Sequence, residues 1–410
     1  MSSYFKARDM AEHQIADLDE QLLRRKLRTT ETPCDTRARV DQRELKAFCS
    51  NDYLGLANHP TLITALADGA KLYGVGSGAS HLISGHSVAH DLLEKKLAAC
   101  EEKHIPNARA LFFSTGYLAN INAITGISRL AEQGQTSIYS AKLNHASLID
   151  GVRLASAQTK ARVTLFDHQN LDSLEESLKQ DTHPLKLIVV DGVFSMDGDI
   201  APVEKLLHIA EQYDALLMVD DAHGFGVLGE YGHGILEQAG VHSERIIYVG
   251  TLGKAAGVSG AFICAAAPFI EWLIQKGRPY IYSTATPPAI AHTLLTSLEL
   301  IEGVEGQQRR DHLNQLIEVW QKEMAFSSWQ KFSSSTPIQP VILGSNASAL
   351  LAAKLLDHAG YWIPAIRPPT VPAGSARLRI TFSANHSLDD LRELIHHLKQ
   401  IEQETLVQTS

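Results

Sequence analysis

Between about residues 60 and 290 the chain repeats one pattern, and that pattern limits the folds open to it. Seven segments are short, apolar and rich in β-branched residues: ARALFF (108–113), TSIYS (136–140), ARVTLF (161–166), LKLIVV (185–190), ALLMVD (215–220), RIIYVG (245–250) and GAFICAA (260–266). Helical patterns such as ANINAITGISRLAEQ, LDSLEESLKQ and VEKLLHIAEQY stand between many of them. A strand that is apolar along its whole length must be covered on both faces, and helices between strands supply that cover. The spacing therefore predicts an α/β fold with a mostly parallel sheet. Beyond about 290 the texture changes to two long helix patterns and a strand-helix-strand-strand-helix tail, which predicts a smaller C-terminal α/β domain. The expected division is an N-terminal helix and connecting segment over 1–60, a large domain over 61–290 and a smaller one over 291–410. Residues 1–30 read as a polar helix ending in the basic cluster LLRRKLR.

A chain of 410 residues with 44% hydrophobic and 20% charged residues can bury a large core. Its net charge of -9 gives no overall attraction for nucleic acid or an anionic membrane, so neither is expected as a partner. The four cysteines Cys34, Cys49, Cys100 and Cys264 lie far apart and form no CxxC pair, which reads as reduced cytoplasmic thiols. The first residues carry early acids and no apolar core, unlike a signal peptide, and no apolar run of membrane-spanning length occurs. Cytoplasm is the expected location.

The sharpest local signal is Lys254, the only charged residue between Arg245 and Glu271. No acid close in sequence pairs with it, and desolvation favours the neutral, nucleophilic amine that Schiff-base chemistry needs. A loop lysine whose head reaches water is the alternative. In MVDDAHGFG a buried strand runs into Asp220, Asp221, Ala222 and His223, at the strand end where parallel sheets bind ligands. Alternation puts Asp220 and Asp221 on opposite faces, so one ligand meets both Asp220 and His223 only if the backbone turns at His223-Gly224. The alternative here is a strand-end Asp capping a turn. In FFSTGYLAN a strand ends and a helix begins near Gly116, a phosphate-site geometry that ordinary N-caps share. His145, opening a helix in LNHASLIDG, is either a helix-cap histidine or a cofactor contact.

Other patterns fail on context. GFGVLG (224–229) matches the dinucleotide glycine pattern, but more glycine-rich loop follows it instead of a helix, and Glu244 precedes its strand instead of ending it. A nicotinamide-dependent dehydrogenase is thus a distant alternative. The 19 histidines form no HExxH and no paired His/Cys cluster, so no metal is expected.

Taken together, SNDYLGL (50–56), GSGASHLISGHSVAHDLLE (76–94), STGYLAN (114–120), NHASLIDG (144–151), DGVFSMDGDIAPV (191–203), VDDAHGFGVLGE (219–230) and TLGKAAGVSGA (251–261) resemble the α-oxoamine synthases, fold-type I enzymes dependent on pyridoxal 5'-phosphate (PLP). The resemblance runs from about Leu22 to Lys399. GSGASHL departs from the Gly-Gly-Ser-Arg of many members and lacks their arginine.

The resemblance implies that Lys254 holds PLP as a Schiff base, Asp220 pairs with the pyridine nitrogen and His145 stacks on the ring. Gly116 and Tyr117 lie at the cofactor, and Ser195, His223 and Thr251 bind its oxygens. Arg24, His145 and Thr370 carry over as substrate contacts, with Arg367 a carboxylate partner. AIRPPTVPAGSARLRITFSANH (365–386) is most similar to members of biotin synthesis. Those condense L-alanine with a pimeloyl thioester, on coenzyme A or an acyl carrier protein, and lose CO2. A family enzyme using another amino acid or acyl thioester is the alternative. The family also implies a homodimer.

Overall fold

The computed structural model describes residues 3–409. Contacts divide it into two compact units. The larger holds residues 51–195 and 199–312; the smaller holds the described residues up to Ser50, the short piece Met196–Gly198, and those from Leu313 onward.

The larger unit is built on a seven-stranded sheet. Across the sheet the strands are Ala108–Phe113, Ala261–Ala266, Ile246–Thr251, Leu216–Asp220, Leu185–Asp191, Thr136–Ala141 and Arg162–Phe166. Each expected strand is present to within a residue. The sheet is mostly parallel, as its apolar strands require, but Ala261–Ala266 runs antiparallel to both neighbours. Four strands, Thr136–Ala141, Leu216–Asp220, Ile246–Thr251 and Ala261–Ala266, are buried at every position. On one face, Ile138, Val189, Met218 and Ile247 join a core with Ala123, Ile124 and Ile127 of helix Gly116–Ile127 and Leu148 and Val152 of helix Ala146–Thr159. Each large apolar side chain buried there contributes roughly 1.5–3 kcal/mol, and Ile124→Ala would cost about 2–5 kcal/mol. That packing fixes two helix starts at the carboxyl edge of the sheet, where the functional residues gather.

The smaller unit has a four-stranded antiparallel sheet, in the order Gln330–Lys331, Ile338–Gly344, Ala376–Thr381, Ala365–Ile366. A three-stranded sheet joins Arg37–Val40 and Arg43–Ala47 to Tyr361–Trp362, the last in parallel. The N-terminal helix is shorter than its sequence pattern suggests: it spans Ser3–Glu20, and LLRRKLR lies beyond it. Leu22 adopts a left-handed φ of 57°, which ends the helix there. Among the described residues no helix is long and apolar enough to cross a membrane.

Candidate active site

Three parallel strands deliver their last residues to one place. Asp191 and Asp220 are register partners on adjacent strands, so both side chains face the same side of the sheet. Asp220 is 4% exposed. Its Oδ2 accepts from Asn120 Nδ2 at 2.6 Å and its Oδ1 from the backbone N–H of Ala222 at 3.1 Å. Both donors are neutral, so this buried carboxylate suits a cationic N–H partner.

Asp221 points the other way, as alternation demands. Its Oδ2 accepts from the backbone N–H of Ile235 at 2.6 Å and from Tyr248 Oη at 2.8 Å. Burial pushes its carboxyl up to about 7. The backbone then turns, with Gly224 N–H donating to the Asp221 carbonyl, and this brings His223 back toward the site.

His223 joins two other residues. Its Nε2 lies 2.8 Å from Lys254 Nζ, and its Nδ1 lies 2.6 Å from Tyr53 Oη. Lys254 is half-buried in the hairpin between strands Ile246–Thr251 and Ala261–Ala266. Backbone bonds Leu252 N–H to Gly260 O (2.8 Å) and Gly257 N–H to Lys254 O (2.9 Å) shape that hairpin. At its base Thr251 Oγ1 donates to Gly260 O at 3.2 Å.

His145 is the N-cap of helix Ala146–Thr159. Its backbone N–H donates to Asp191 Oδ2 at 2.6 Å, and its Nδ1 accepts from the Ser147 N–H at 3.3 Å. The cap reading thus holds, and the Nδ1 bond fixes the ring while leaving its faces available. Burial, reinforced by the charge of Lys254 and opposed by Asp220, holds the imidazole below its ordinary value. Burial and the neighbouring Asp220 push the Asp191 carboxyl well above its ordinary value. Asp220 and Lys254 therefore both lie within electrostatic reach of His145 and of Asp191.

Gly116 opens the helix that Thr115 caps, Thr115 Oγ1 accepting from Leu118 N–H at 3.2 Å. A Cβ at Gly116 would stand 3.6 Å from Thr251 Oγ1, which sets these two candidates side by side. Tyr117 is 45% exposed and donates to Asp150. Ser195 is half-buried in a turn closed by the Phe194 N–H to Asp199 O bond of 3.0 Å.

The remaining candidates belong to the smaller unit. Arg367 donates to the carbonyls of Leu22 and Arg24. Arg24 itself pairs with Asp19 at 2.6 Å, and it is Arg25 that reaches Thr370 Oγ1, at 3.3 Å. Burial and the nearby Arg25 lower the Arg367 guanidinium below its ordinary value.

The class I and II aminotransferase family model matches residues 44–398. The chain belongs to that family. It is 53% identical over 393 residues to 8-amino-7-oxononanoate synthase of Janthinobacterium sp. (strain Marseille), covering 96% of this chain and 98% of the relative. A solved serine palmitoyltransferase from Sphingomonas wittichii is 27% identical with a TM-score of 0.86, covering 99% of this chain and 100% of that one. Another solved neighbour, SPT with a PLP internal aldimine, is 25% identical with a TM-score of 0.86 over 99% and 100%.

The residues fit a pyridine cofactor chemically: a buried carboxyl group accepting from neutral donors, an amine and that carboxyl group both in reach of His145, an imidazole, and a helix start bearing glycine. Four residues around these were given no role by the sequence reading. Asn120 orients Asp220, Asp191 anchors His145, Ser147 meets both Asn120 Nδ2 (2.9 Å) and His145 Nδ1 (2.7 Å), and Tyr53 meets His223. Asn120 stands one helical turn after Gly116, a spacing that could have raised it.

Proposed function

We propose that this chain is a PLP-dependent acyltransferase that condenses L-alanine with a pimeloyl thioester, giving 8-amino-7-oxononanoate, CO2 and the free thiol carrier in biotin synthesis. The observation that carries this is identity above 50% over nearly the whole length of relatives bearing that activity in their name. When bound, PLP supplies the electron sink that takes up the pair left at alanine Cα.

The chain's residues do the rest. Lys254 would anchor the cofactor, and its amine would take the alanine Cα proton. Asp220, oriented by Asn120 and the Ala222 N–H, would pair with the pyridine nitrogen. His145 packs on the ring and touches substrate. Gly116 and Tyr117 would lie at the cofactor, with the helix start near its phosphate, and Ser195, His223 and Thr251 would bind its oxygens. Arg367 grips the alanine carboxylate bidentately, with Arg24 and Thr370 as further substrate contacts.

The carrier is coenzyme A or an acyl carrier protein, the working place is the cytoplasm, and the partner is a second copy of this chain. Exposed Leu72, Val75, Ile83, Val88 and Tyr282, each 65–86% exposed, support that last reading.

The test is product formation with L-alanine, glycine or L-serine against pimeloyl-CoA, pimeloyl carrier protein and longer acyl thioesters. The expected product is 8-amino-7-oxononanoate from L-alanine alone. Preference for another amino acid or acyl chain overturns the assignment. Lys254→Ala should lower turnover by roughly 10²–10⁴-fold and abolish borohydride-trappable cofactor; normal turnover would remove Lys254 from its role.

A further inference from the structure

The sequence patterns lead to no expected metal, yet among the described residues of the larger unit the fold gathers three histidines. His81, His86 and His90 each present one ring nitrogen within 4.8 Å of the others. We propose that they form a three-imidazole site for a divalent transition-metal ion of the Zn2+ class.

The geometry is already close to that of bound ligands. His81 Nδ1 and His86 Nδ1 face each other at 3.0 Å. Two nitrogens on one tetrahedral Zn2+, each about 2.0–2.1 Å from it, stand about 3.3 Å apart. An ion would therefore enter by opening the pair a few tenths of an ångström and replacing the one proton now shared between them. The third ring is oriented for the task. His90 Nε2 lies 2.7 Å from the Thr286 carbonyl, so that nitrogen carries the proton and Nδ1 keeps its lone pair. That lone pair now accepts from the Ser87 N–H at 3.0 Å, a helix-capping bond the metal would displace. Tying the unused nitrogen to a carbonyl is also how metal-binding histidines are commonly held.

The scaffold is rigid where it matters. His81 opens a π-helical turn, His81–Gly85, and its ring stacks on Tyr280 with centroids 4.7 Å apart and planes 10° apart. Only glycine fits at 85, because a Cβ there would stand 2.1 Å from the Ala79 carbonyl. His86 then leads into helix Val88–Glu101, which carries His90. Neutral imidazole is the form a borderline metal ion binds. His86 is exposed in the single chain. Water would complete the tetrahedron.

The test is calorimetric titration of the PLP-loaded enzyme, in its solution assembly, with ZnCl2. One ion per chain is expected, with a micromolar or tighter Kd. His81→Ala and His86→Ala should each weaken it at least ~10-fold, whereas a His396→Ala/His397→Ala control should not. Cu2+ loaded in place of Zn2+ should show nitrogen hyperfine splitting that loses one nitrogen in either single variant. Circular dichroism melts verify that the variants fold. Absence of tight binding in the wild type, or binding by both single variants as tight as the wild type's, overturns the site.

Discussion

The amine of Lys254 and Nε2 of His223 lie 2.8 Å apart, and the far nitrogen of the same imidazole lies 2.6 Å from the hydroxyl of Tyr53. One proton on the ring serves two partners, so the tyrosine influences which tautomer the lysine meets. Tyr53 Oη also reaches Asn51 Oδ1 at 3.1 Å, which gives its own proton a second destination. Tyr53→Phe should cost about 1 kcal/mol at this bond, seen as a roughly fivefold fall in kcat. KM for alanine should hold, and the pH titration of the cofactor absorbance should shift. An unchanged titration would show that Tyr53 does not act through His223.

Neighbouring acids should respond in opposite ways. Asp220→Asn should leave the melting temperature nearly unchanged and remove most activity. Asp221→Ala should instead strip the Ile235 N–H and Tyr248 hydroxyl of their acceptor and destabilise the fold by about 2–3 kcal/mol. Its remaining folded protein should turn over at a near-normal rate. Thermal melts paired with activity per folded molecule separate the two, and equal effects on both readouts would refute the division.

In the smaller unit, His386 is 2% exposed and stacks on Phe48 with centroids 3.9 Å apart and planes 6° apart. Burial lowers its imidazole from 6.5 to about 4. The unfolded chain therefore binds a proton that the native chain refuses between those values. Stability contributed by this group is complete above pH 6.5, declines as pH falls toward about 4, and is flat below that. Denaturant midpoints at several pH values should show this slope, and His386→Gln should flatten it. A variant with the wild-type slope would assign the effect elsewhere.

Gly257, three residues after the lysine, has φ +69°, and a Cβ there would lie 2.6 Å from Leu56 C and 2.7 Å from Ala57 N. These are backbone atoms, held in turn by Asp52, whose carboxylate accepts from the Leu56 and Ala57 N–H groups. Gly257→Ala should cost about 2–3 kcal/mol and weaken cofactor retention together with the melting temperature. Full retention of PLP at an unchanged melting temperature would contradict this reading.

The seven strands were legible because a strand apolar on both faces has few other fates, and the opposite facing of Asp220 and Asp221 followed from the pleat. The direction of Ala261–Ala266 was not legible, since an apolar run reads alike either way. Nor was the pairing of Arg43–Ala47 with Tyr361–Trp362, because a parallel pair between opposite ends of a chain leaves no local trace. In the site, Lys254 stood out by its isolation in sequence. Asn120 and Asp191 did not, because their value lies in which neighbours the register and the helix start bring to them. His86 and His90 stand four apart in HSVAH, but their third partner, His81, joins them only through a π-helical turn.

The hairpin that carries Lys254 joins two strands adjacent in both sequence and space, whereas Asp220, His145 and Gly116 sit on separate crossover units of the sheet. Bringing the lysine into line needs only the closure of a short loop, with little entropy to lose. Lengthening that loop would move the amine directly, while insertions deep in the crossovers could be absorbed by surface turns. Natural variation in chain length should accordingly collect in the crossovers and spare residues 252–260.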